Sequence, residues 1–201
     1  FNNKYNTGKP WASAMAQGQM ISLFLRIHQL TDNDSYRTYA EKSYNYLVSE
    51  STPQPLIVRD KDGVWLEEFP STPPSKVLNG YIYALFGIID LYRVTGNARY
   101  NDLYKECIDT ILNNLHKYDA GYWSYYDLLK KELVRVYYQK NVHVLQMKVL
   151  YKLTGIDSFN HFAKKWNKQL SPVNIYLVKC MYRIDPRLKY IFKLMRSWPQ
   201  D

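Results

Sequence analysis

Apolar residues recur along this chain at helical spacing, in six stretches that form three pairs. The first stretch of each pair is strongly apolar, and these stretches cover about 19–29, 77–93 and 142–152. The second stretch is more polar, over about 35–48, 98–115 and 157–169. One of these has an amphipathic i, i+3, i+4 spacing of Tyr100, Leu103, Tyr104, Cys107 and Ile111. The pattern predicts three helix pairs, each with an apolar inner and an amphipathic outer member.

A similar short sequence joins the two helices of every pair. An apolar residue is followed by Thr, a turn residue, a helix-starting region and an aromatic residue, at 30–36, 94–100 and 153–159. Gly or Asp after Thr suits a helix C-cap, and Asp, Asn or Ser nearby suits the next N-cap. Repeated helix pairs build α/α barrels. We predict an all-α fold, an incomplete α/α barrel or toroid, as a single domain over residues 1–201, with inner helices lining a cavity.

Two long connections, 49–76 and 116–140, separate the pairs. Each follows an outer helix and precedes an inner one, so both are expected at the same end of the barrel. The first is made non-helical by Pro53, Pro55, Pro70, Pro73 and Pro74, and a small hairpin is expected at 58–66 within it. Binding and catalytic residues concentrate in loops on a rigid scaffold. We therefore look for the site in these two connections.

The chain of 201 residues is basic, with a net charge of +9. That charge favours an anionic partner, but no long basic run, zinc knuckle or RNP-like signature favours nucleic acid. No apolar stretch reaches the roughly 18–20 residues of a membrane helix. The tail, 171–201, is expected as a helical cap and basic rim that carries Lys179, Arg183, Arg187, Lys189, Lys193 and Arg196.

Cysteine spacing gives no indication of a metal or redox site. Cys107 and Cys180 lie far apart and outside any metal-binding motif, so buried thiols are expected. The chain opens at Phe1 without Met, so a longer parent protein stays open as an interpretation. The compartment stays open with it: the cytoplasm for a bacterial chain, the Golgi lumen for an animal one. A homodimer also stays open.

The first connection carries two adjacent carboxylates, Glu67 and Glu68, between Trp65 and Pro70. Such acids are candidates for general acid–base chemistry. The alternative is a solvated acidic turn, or an ion pair with Arg59 or Lys61. Two amide residues near the predicted inner helices are candidate sugar ligands. Asn79 would otherwise cap a helix, and Gln17 would otherwise pack between helices.

The second connection combines aromatic residues with charged ones. Trp123 and Tyr126 are followed by Asp127, and aromatic rings beside an acid are typical of sites that stack sugars. For Trp123, the alternative is a place in a small core of the loop. Further on, Arg135 precedes Tyr138 by three residues, and His143 begins the third inner helix. A guanidinium can hold a uronate carboxylate in a bidentate pair and lower the pKa of a nearby phenol.

These motifs together resemble the C-terminal domain of the D-glucuronyl C5-epimerases, which invert C5 of uronic acids in heparan-type polysaccharides. Six segments appear in the family's order: 13–18 (SAMAQG), 65–70 with its Glu-Glu pair, 75–80 (S-x-V-L-N-G), 81–91, 118–121 (YDAG) and 126–128 (Tyr-Asp-Leu). The resemblance implies a helical barrel, a uronic-acid polysaccharide as substrate, and chemistry without a metal or other cofactor.

The resemblance also implies site residues. The family's catalytic Glu falls on Glu68, the tyrosine after it on Phe69, and the tyrosine of Tyr-Asp-Leu on Tyr126. The family pattern Arg-Trp-Asp-Tyr, followed four residues later by His, falls on 135–138 and His143 with a one-residue insertion. Without that gap Tyr137 takes the tyrosine's place, and both alternatives stay open, with Tyr138 preferred.

Three functions remain at this point. In a uronyl C5-epimerase, Glu68 and Tyr138 would move protons on opposite faces of the sugar ring, with Arg135 on the substrate carboxylate and Tyr126 assisting. A uronate polysaccharide lyase would share the proton abstraction but expel the C4 substituent. A non-catalytic module that binds acidic glycans is the third, because Phe69 cannot transfer a proton.

Overall fold

The computed structural model describes residues 3–7 and 10–183, which divide into two compact units, Phe1–Glu132 and Leu133–Asp201. The first contains α1 (Ala14–Thr31), α2 (Asp34–Leu47), strands β1 (Ile57–Asp60) and β2 (Gly63–Leu66), α3 (Leu78–Thr95) and α4 (Ala98–Asn114). The second contains α5 (Val136–Tyr138), a π-helical turn (Gln139–His143), α6 (Val144–Thr154), α7 (Asp157–Lys168) and α8 (Pro172–Arg183).

The mostly helical structure confirms the predicted all-α class. The barrel and the single domain stay predictions. Of the predicted basic tail, Lys179 and Arg183 belong to α8. Four further basic residues lie outside the described residues: Arg187, Lys189, Lys193 and Arg196. Within the described part of the chain, no helix is long and apolar enough to cross a membrane.

The three predicted turns share one geometry. Thr31, Thr95 and Thr154 end α1, α3 and α6, and each hydroxyl donates to the carbonyl four residues earlier, at 2.7–2.8 Å. The next residue takes the left-handed conformation in every copy, with φ of 54°, 65° and 70°. Glycine adopts that conformation at no steric cost, and Asp tolerates it. A local sequence therefore ends the first helix of each pair and starts the second.

Close contact between α1 and α3 organises the first unit. A Cβ on Gly18 would lie 2.4 Å from the Ala84 Cα, and a Cβ on Gly87 would lie 2.5 Å from the Gly18 carbonyl oxygen. Helices α1 and α3 therefore approach backbone to backbone at these glycines. Most of α3 is buried, including Leu85 and Ile88, and this packing fixes where the amino end of α3 lies.

The predicted hairpin is present as antiparallel β1 and β2, with a two-residue turn between Asp60 and Gly63. It is fastened to α4, because Val64 donates its backbone N–H to the Thr110 hydroxyl at 2.9 Å. The Trp65 side chain is buried against Tyr81 of α3, with ring centroids 5.7 Å apart. The hairpin therefore delivers Glu67 and Glu68, which follow β2 directly, onto the start of α3.

Candidate functional site

Glu67 fastens the proline-rich loop rather than facing solvent. Its carboxylate is fully buried and accepts hydrogen bonds from the Ser75 hydroxyl at 2.6 Å, the Ser75 N–H at 2.8 Å and the Lys76 N–H at 3.1 Å. Burial raises its pKa, and these hydrogen bonds oppose that rise. The Glu67 carbonyl also accepts the Ala14 N–H at 2.9 Å. Glu67 thus joins the loop to the amino ends of α1 and α3.

Glu68 lies in a different environment, beside a phenol. The Tyr126 hydroxyl lies 3.3 and 3.4 Å from the two Glu68 carboxylate oxygens and donates to them. Glu68 is 7% exposed, and Tyr126 is half-buried. The structure therefore brings together two predicted site residues, 58 positions apart in sequence, and largely buries the carboxylate.

The environment raises the pKa of Glu68 to about 7. Burial is the largest cause, because it disfavours the charged form, and nearby Glu67 adds to it. The hydrogen bond from Tyr126 and the positive charge of Lys4 act in the opposite direction. A carboxyl group with a pKa near neutrality is matched to accepting and returning a proton at physiological pH.

Backbone contacts hold the second connection against the start of α3. Leu78 N–H donates to the Tyr126 carbonyl at 3.1 Å, and Val77 forms a bridge with Asp127. The Tyr118 hydroxyl donates to the Lys76 carbonyl at 2.7 Å. Up to residue 132, the two long connections therefore meet at one end of α3.

Phe69, where the family motif has tyrosine, is covered by the N-terminal segment. The Tyr5 ring stacks on Phe69 with centroids 4.9 Å apart. The Tyr5 hydroxyl donates to the buried Asp127 carboxylate at 3.0 Å. Burial first, and Asp127 next, raise the pKa of Tyr5 far above its usual value. This phenol is therefore a hydrogen-bond donor that ties the segment to the site, and it is no substitute for an ionisable tyrosine at position 69.

Sequence reasoning missed Lys4 and Tyr5 at this site. Lys4 Nζ lies 4.9 Å from the Tyr126 ring centroid and 2.7 Å from Glu132. Neither residue belongs to a recognisable motif, and both lie more than 60 positions from Glu68. Only the Tyr-Asp-Leu motif carried a signal, since it pointed to Asp127, the partner of Tyr5.

Three other predicted residues of the first unit have these positions. Asn79 is buried in the first turn of α3, where its amide nitrogen lies 3.9 Å from Met15 Sδ; the helix N-cap is Val77, so the capping interpretation is wrong. Gln17 is half-buried on α1. Trp123 is fully buried, which favours the loop-core interpretation over an exposed sugar platform. Arg59, the alternative ion-pair partner for the two glutamates, instead pairs with Glu106 at 2.8 Å.

The remaining predicted residues lie in the second unit. Arg135 is exposed and its guanidinium lies 5.6 Å from the Tyr182 ring centroid. The Tyr138 ring meets His143 edge to face, with centroids 5.5 Å apart. His143 is fully buried against Trp166, and burial lowers its pKa to about 3. A neutral imidazole therefore supports the half-buried Tyr138 phenol.

The π-helical turn Gln139–His143 coincides with the one-residue insertion expected between Tyr138 and His143. A π turn accommodates one extra residue within a helix, so the insertion does not break the run from α5 to α6. Gln139 anchors the turn by donating to the Trp166 carbonyl at 3.2 Å and to Gln169 at 3.0 Å. Tyr137, by contrast, is 74% exposed. The turn thus keeps Tyr138, and not Tyr137, in contact with His143.

The comparisons with known proteins agree with the sequence motifs. A family model of the D-glucuronyl C5-epimerase C-terminus matches residues 1–168. An uncharacterized protein of Methanocaldococcus jannaschii is 34% identical over 168 residues, which cover 82% of this chain and 54% of that protein. A D-glucuronyl C5-epimerase of Caenorhabditis elegans is 29% identical over 174 residues, which cover 78% of this chain and 28% of that enzyme.

A match over most of the chain identifies the class of domain. This chain belongs to the D-glucuronyl C5-epimerase C-terminal family. It spans about half the length of the archaeal relative and about a quarter of the nematode enzyme.

Proposed function

We propose that this chain is the catalytic domain of a uronyl C5-epimerase that acts on glucuronic acid residues of an acidic polysaccharide. The observation that carries the proposal is the Glu68–Tyr126 contact, in which a buried carboxylate with a pKa near 7 accepts a hydrogen bond from a half-buried phenol. Family membership supplies the reaction class, and the basic surface charge favours an anionic substrate.

Inversion at C5 requires proton removal from one face of the sugar ring and proton delivery to the other. In this mechanism Glu68 accepts the C5 proton, and Tyr126 orients Glu68 and shares the proton. Tyr138 delivers a proton on the opposite face, with neutral His143 holding its ring. Tyr138 is assigned to the same site as Glu68 on the order of the family motifs.

The substrate carboxylate must be neutralised before the neighbouring C5–H becomes acidic. Arg135 is proposed for that role, since a guanidinium pairs with a carboxylate through two parallel hydrogen bonds. It would also stabilise the enolate-like intermediate, and one such preorganised donor is typically worth about 3–4 kcal/mol. Phe69 cannot transfer a proton, so the reaction depends on Glu68 more strongly than in a protein with tyrosine at that position.

The proposed architecture is an incomplete α/α barrel in which α1, α3 and α6 are the inner helices. The three matching turns and the close packing of α1 on α3 support it. In a barrel of repeated pairs, the connections that follow the outer helices open at one end. That end is the proposed substrate mouth.

Hydrogen exchange in heavy water tests the function. The protein is incubated in D₂O with a glucuronic acid polymer of heparan-type backbone, and C5 deuterium and chain length are both measured. Deuterium at C5 without chain cleavage supports the epimerase, and Glu68→Gln should abolish it. Cleavage with an ultraviolet-absorbing unsaturated product indicates a lyase instead.

A glycan-binding module without catalysis is the second candidate, and Phe69 favours it. The Phe69 ring is packed beneath Tyr5, so its role here is packing rather than proton transfer. Binding of the polymer with neither exchange nor cleavage would establish this second function and contradict the first.

A further inference from the structure

Lys4 lies in the short 3₁₀ turn Asn3–Tyr5, and its ammonium group is held above the Tyr126 ring. Lys4 Nζ is 4.9 Å from the Tyr126 ring centroid and 5.0 Å from that of Tyr5. Glu132 pairs with the same ammonium at 2.7 Å, and Lys130 donates to the Lys4 carbonyl. A cation is attracted to an aromatic face. Several contacts therefore fix Lys4 beside the phenol that touches Glu68.

Few charged groups act on Glu68. Among the described residues, Lys4 supplies a positive charge, Glu67 a negative one, and Tyr126 a hydrogen bond. The Glu67 carboxylate is already bonded to Ser75 and Lys76. Because Glu68 is buried and only 27% of the Lys4 side chain is exposed, solvent screens their attraction less than it would on an open surface.

We propose that Lys4 is a positioning residue of this site, whose ammonium group fixes the Tyr126 phenol against Glu68 and favours the charged carboxylate. Its effect on turnover rests on the proposed function, whereas its effect on Glu68 does not. Without Lys4, the pKa of Glu68 should rise, and a smaller fraction of molecules would hold a charged base near neutral pH. Glu132 also pairs with the Lys4 ammonium, and the Glu132 side chain is 54% exposed.

The test measures Glu68 directly. The ¹³C carboxyl signals of glutamate-labelled protein are titrated by NMR, with Glu68 assigned from the Glu68→Gln variant. Lys4→Met removes the charge and keeps an apolar stem, and Lys4→Arg keeps the charge. Lys117→Met is the matched control, because Lys117 pairs with Asp62 at 3.1 Å and is absent from the groups that act on Glu68.

Lys4→Met should raise the pKa of Glu68 by about one unit, the lower end of the effect of a close opposite charge. Lys4→Arg should restore most of that shift, and Lys117→Met should cause none. In the C5 deuterium assay, the acid limb of the pH–rate profile should move upward with Lys4→Met by the same amount. The rate at pH 6 would then fall by about tenfold, while the plateau at high pH changes little.

A folded Lys4→Met protein with an unchanged Glu68 titration overturns the proposal. If Lys4→Met does not fold, Lys4→Gln is titrated by the same criterion. An absence of deuterium exchange in every variant, wild type included, contradicts the proposed function only. The NMR titration then still decides the role of Lys4.

Discussion

Glu68 lies directly against Gly80, in the first turn of α3. A Cβ at residue 80 would come within 2.4 Å of Glu68 Oε2 and 2.6 Å of Glu68 Cβ. The carboxylate therefore occupies the space that a side chain would take. This contact brings the proposed base close to the amino end of a helix, where a negative charge is favoured.

The first prediction concerns this contact. Gly80→Ala should push the Glu68 carboxylate away from Tyr126, because the added methyl group would occupy the space that the Glu68 side chain fills. We expect C5 exchange to fall by about 100-fold, the effect of a displacement of about 1 Å at a reacting group. Overpacking should also lower the free energy of unfolding by about 1–3 kcal/mol.

Gly18→Ala is the matched control for Gly80→Ala. It introduces the same methyl group into the contact between α1 and α3, where it would meet Ala84. It should destabilise the fold at least as much, because its methyl group would meet backbone atoms rather than a side chain, but leave the Glu68 titration unchanged. An equal loss of exchange in both variants would show that Gly80 acts through stability alone.

The second prediction follows from the buried charge of Glu68. The pKa of Glu68 is about 7 in the folded chain and 4.5 when free, so the unfolded state loses its proton first as the pH rises. The contribution of protonated Glu68 to the free energy of unfolding is then fully present below pH 4.5 and is lost as the pH rises through 7. Glu68→Gln should therefore stabilise the protein at pH 8, by up to roughly 3 kcal/mol, and abolish exchange.

Urea unfolding of wild type and Glu68→Gln at pH 4.5 and pH 8 measures that difference. We expect the stabilisation at pH 8 to shrink or vanish at pH 4.5, where the carboxyl group is protonated in the folded state. A constant difference at the two pH values would mean that burial does not penalise the Glu68 charge.

The sequence predicted the parts of this molecule that local chemistry specifies. Thr31, Thr95 and Thr154 end their helices as expected, because a threonine followed by a left-handed residue is a local stop signal. The hairpin was also predictable from the flanking prolines and turn residues. The Glu68–Tyr126 pair came from motif order, since nothing local relates two residues in separate loops.

Long-range contacts set what the sequence could not predict. The residues alone made both adjacent glutamates acid–base candidates, and only the family resemblance singled out Glu68. In the structure the Glu67 carboxylate is bonded to Ser75 and Lys76, while Glu68 contacts Tyr126. Lys4 reaches the site only through tertiary folding. The sequence predicts a one-residue insertion before His143, but the π turn found there depends on the anchoring of Gln139 against α7.

The third prediction separates the two candidate tyrosines. Tyr138→Phe should lower C5 exchange by 10²–10⁴-fold, the usual contribution of a positioned acid or base, because Tyr138 is the phenol that contacts His143. Tyr137→Phe should retain nearly full exchange, since that side chain is 74% exposed. Each variant removes one hydroxyl, so each controls for the other, and the reverse result would assign the role to Tyr137.

The fourth prediction concerns acid stability. Burial lowers the pKa of His143 to about 3 from 6.5, so the unfolded state takes up a proton first as the pH falls. The contribution of neutral His143 is therefore present above pH 6.5 and lost on the way to pH 3, by at most about 1.4 kcal/mol per pH unit. The stability difference between wild type and His143→Gln, from urea unfolding at pH 7, 6 and 5, should narrow as the pH falls. A difference independent of pH would mean that His143 titrates normally.

The last prediction separates recognition of the substrate carboxylate from general attraction by the basic surface. Arg135→Ala should reduce C5 exchange by about 10²–10³-fold, the cost of losing one preorganised donor, because the carboxylate beside C5 is left uncompensated. Arg135→Lys should recover only part of the lost exchange, since an ammonium lacks the planar fork of the guanidinium.

Lys179→Ala removes an exposed charge on α8 and should weaken polymer binding with no change in the rate at saturation. That weakening should diminish as salt is raised to 0.1 M and beyond, where the screening length falls to about 10 Å. If Arg135→Ala exchanges deuterium at the wild-type rate, the contact of Arg135 with the Tyr182 ring is its role in the protein, and another cation must neutralise the uronate.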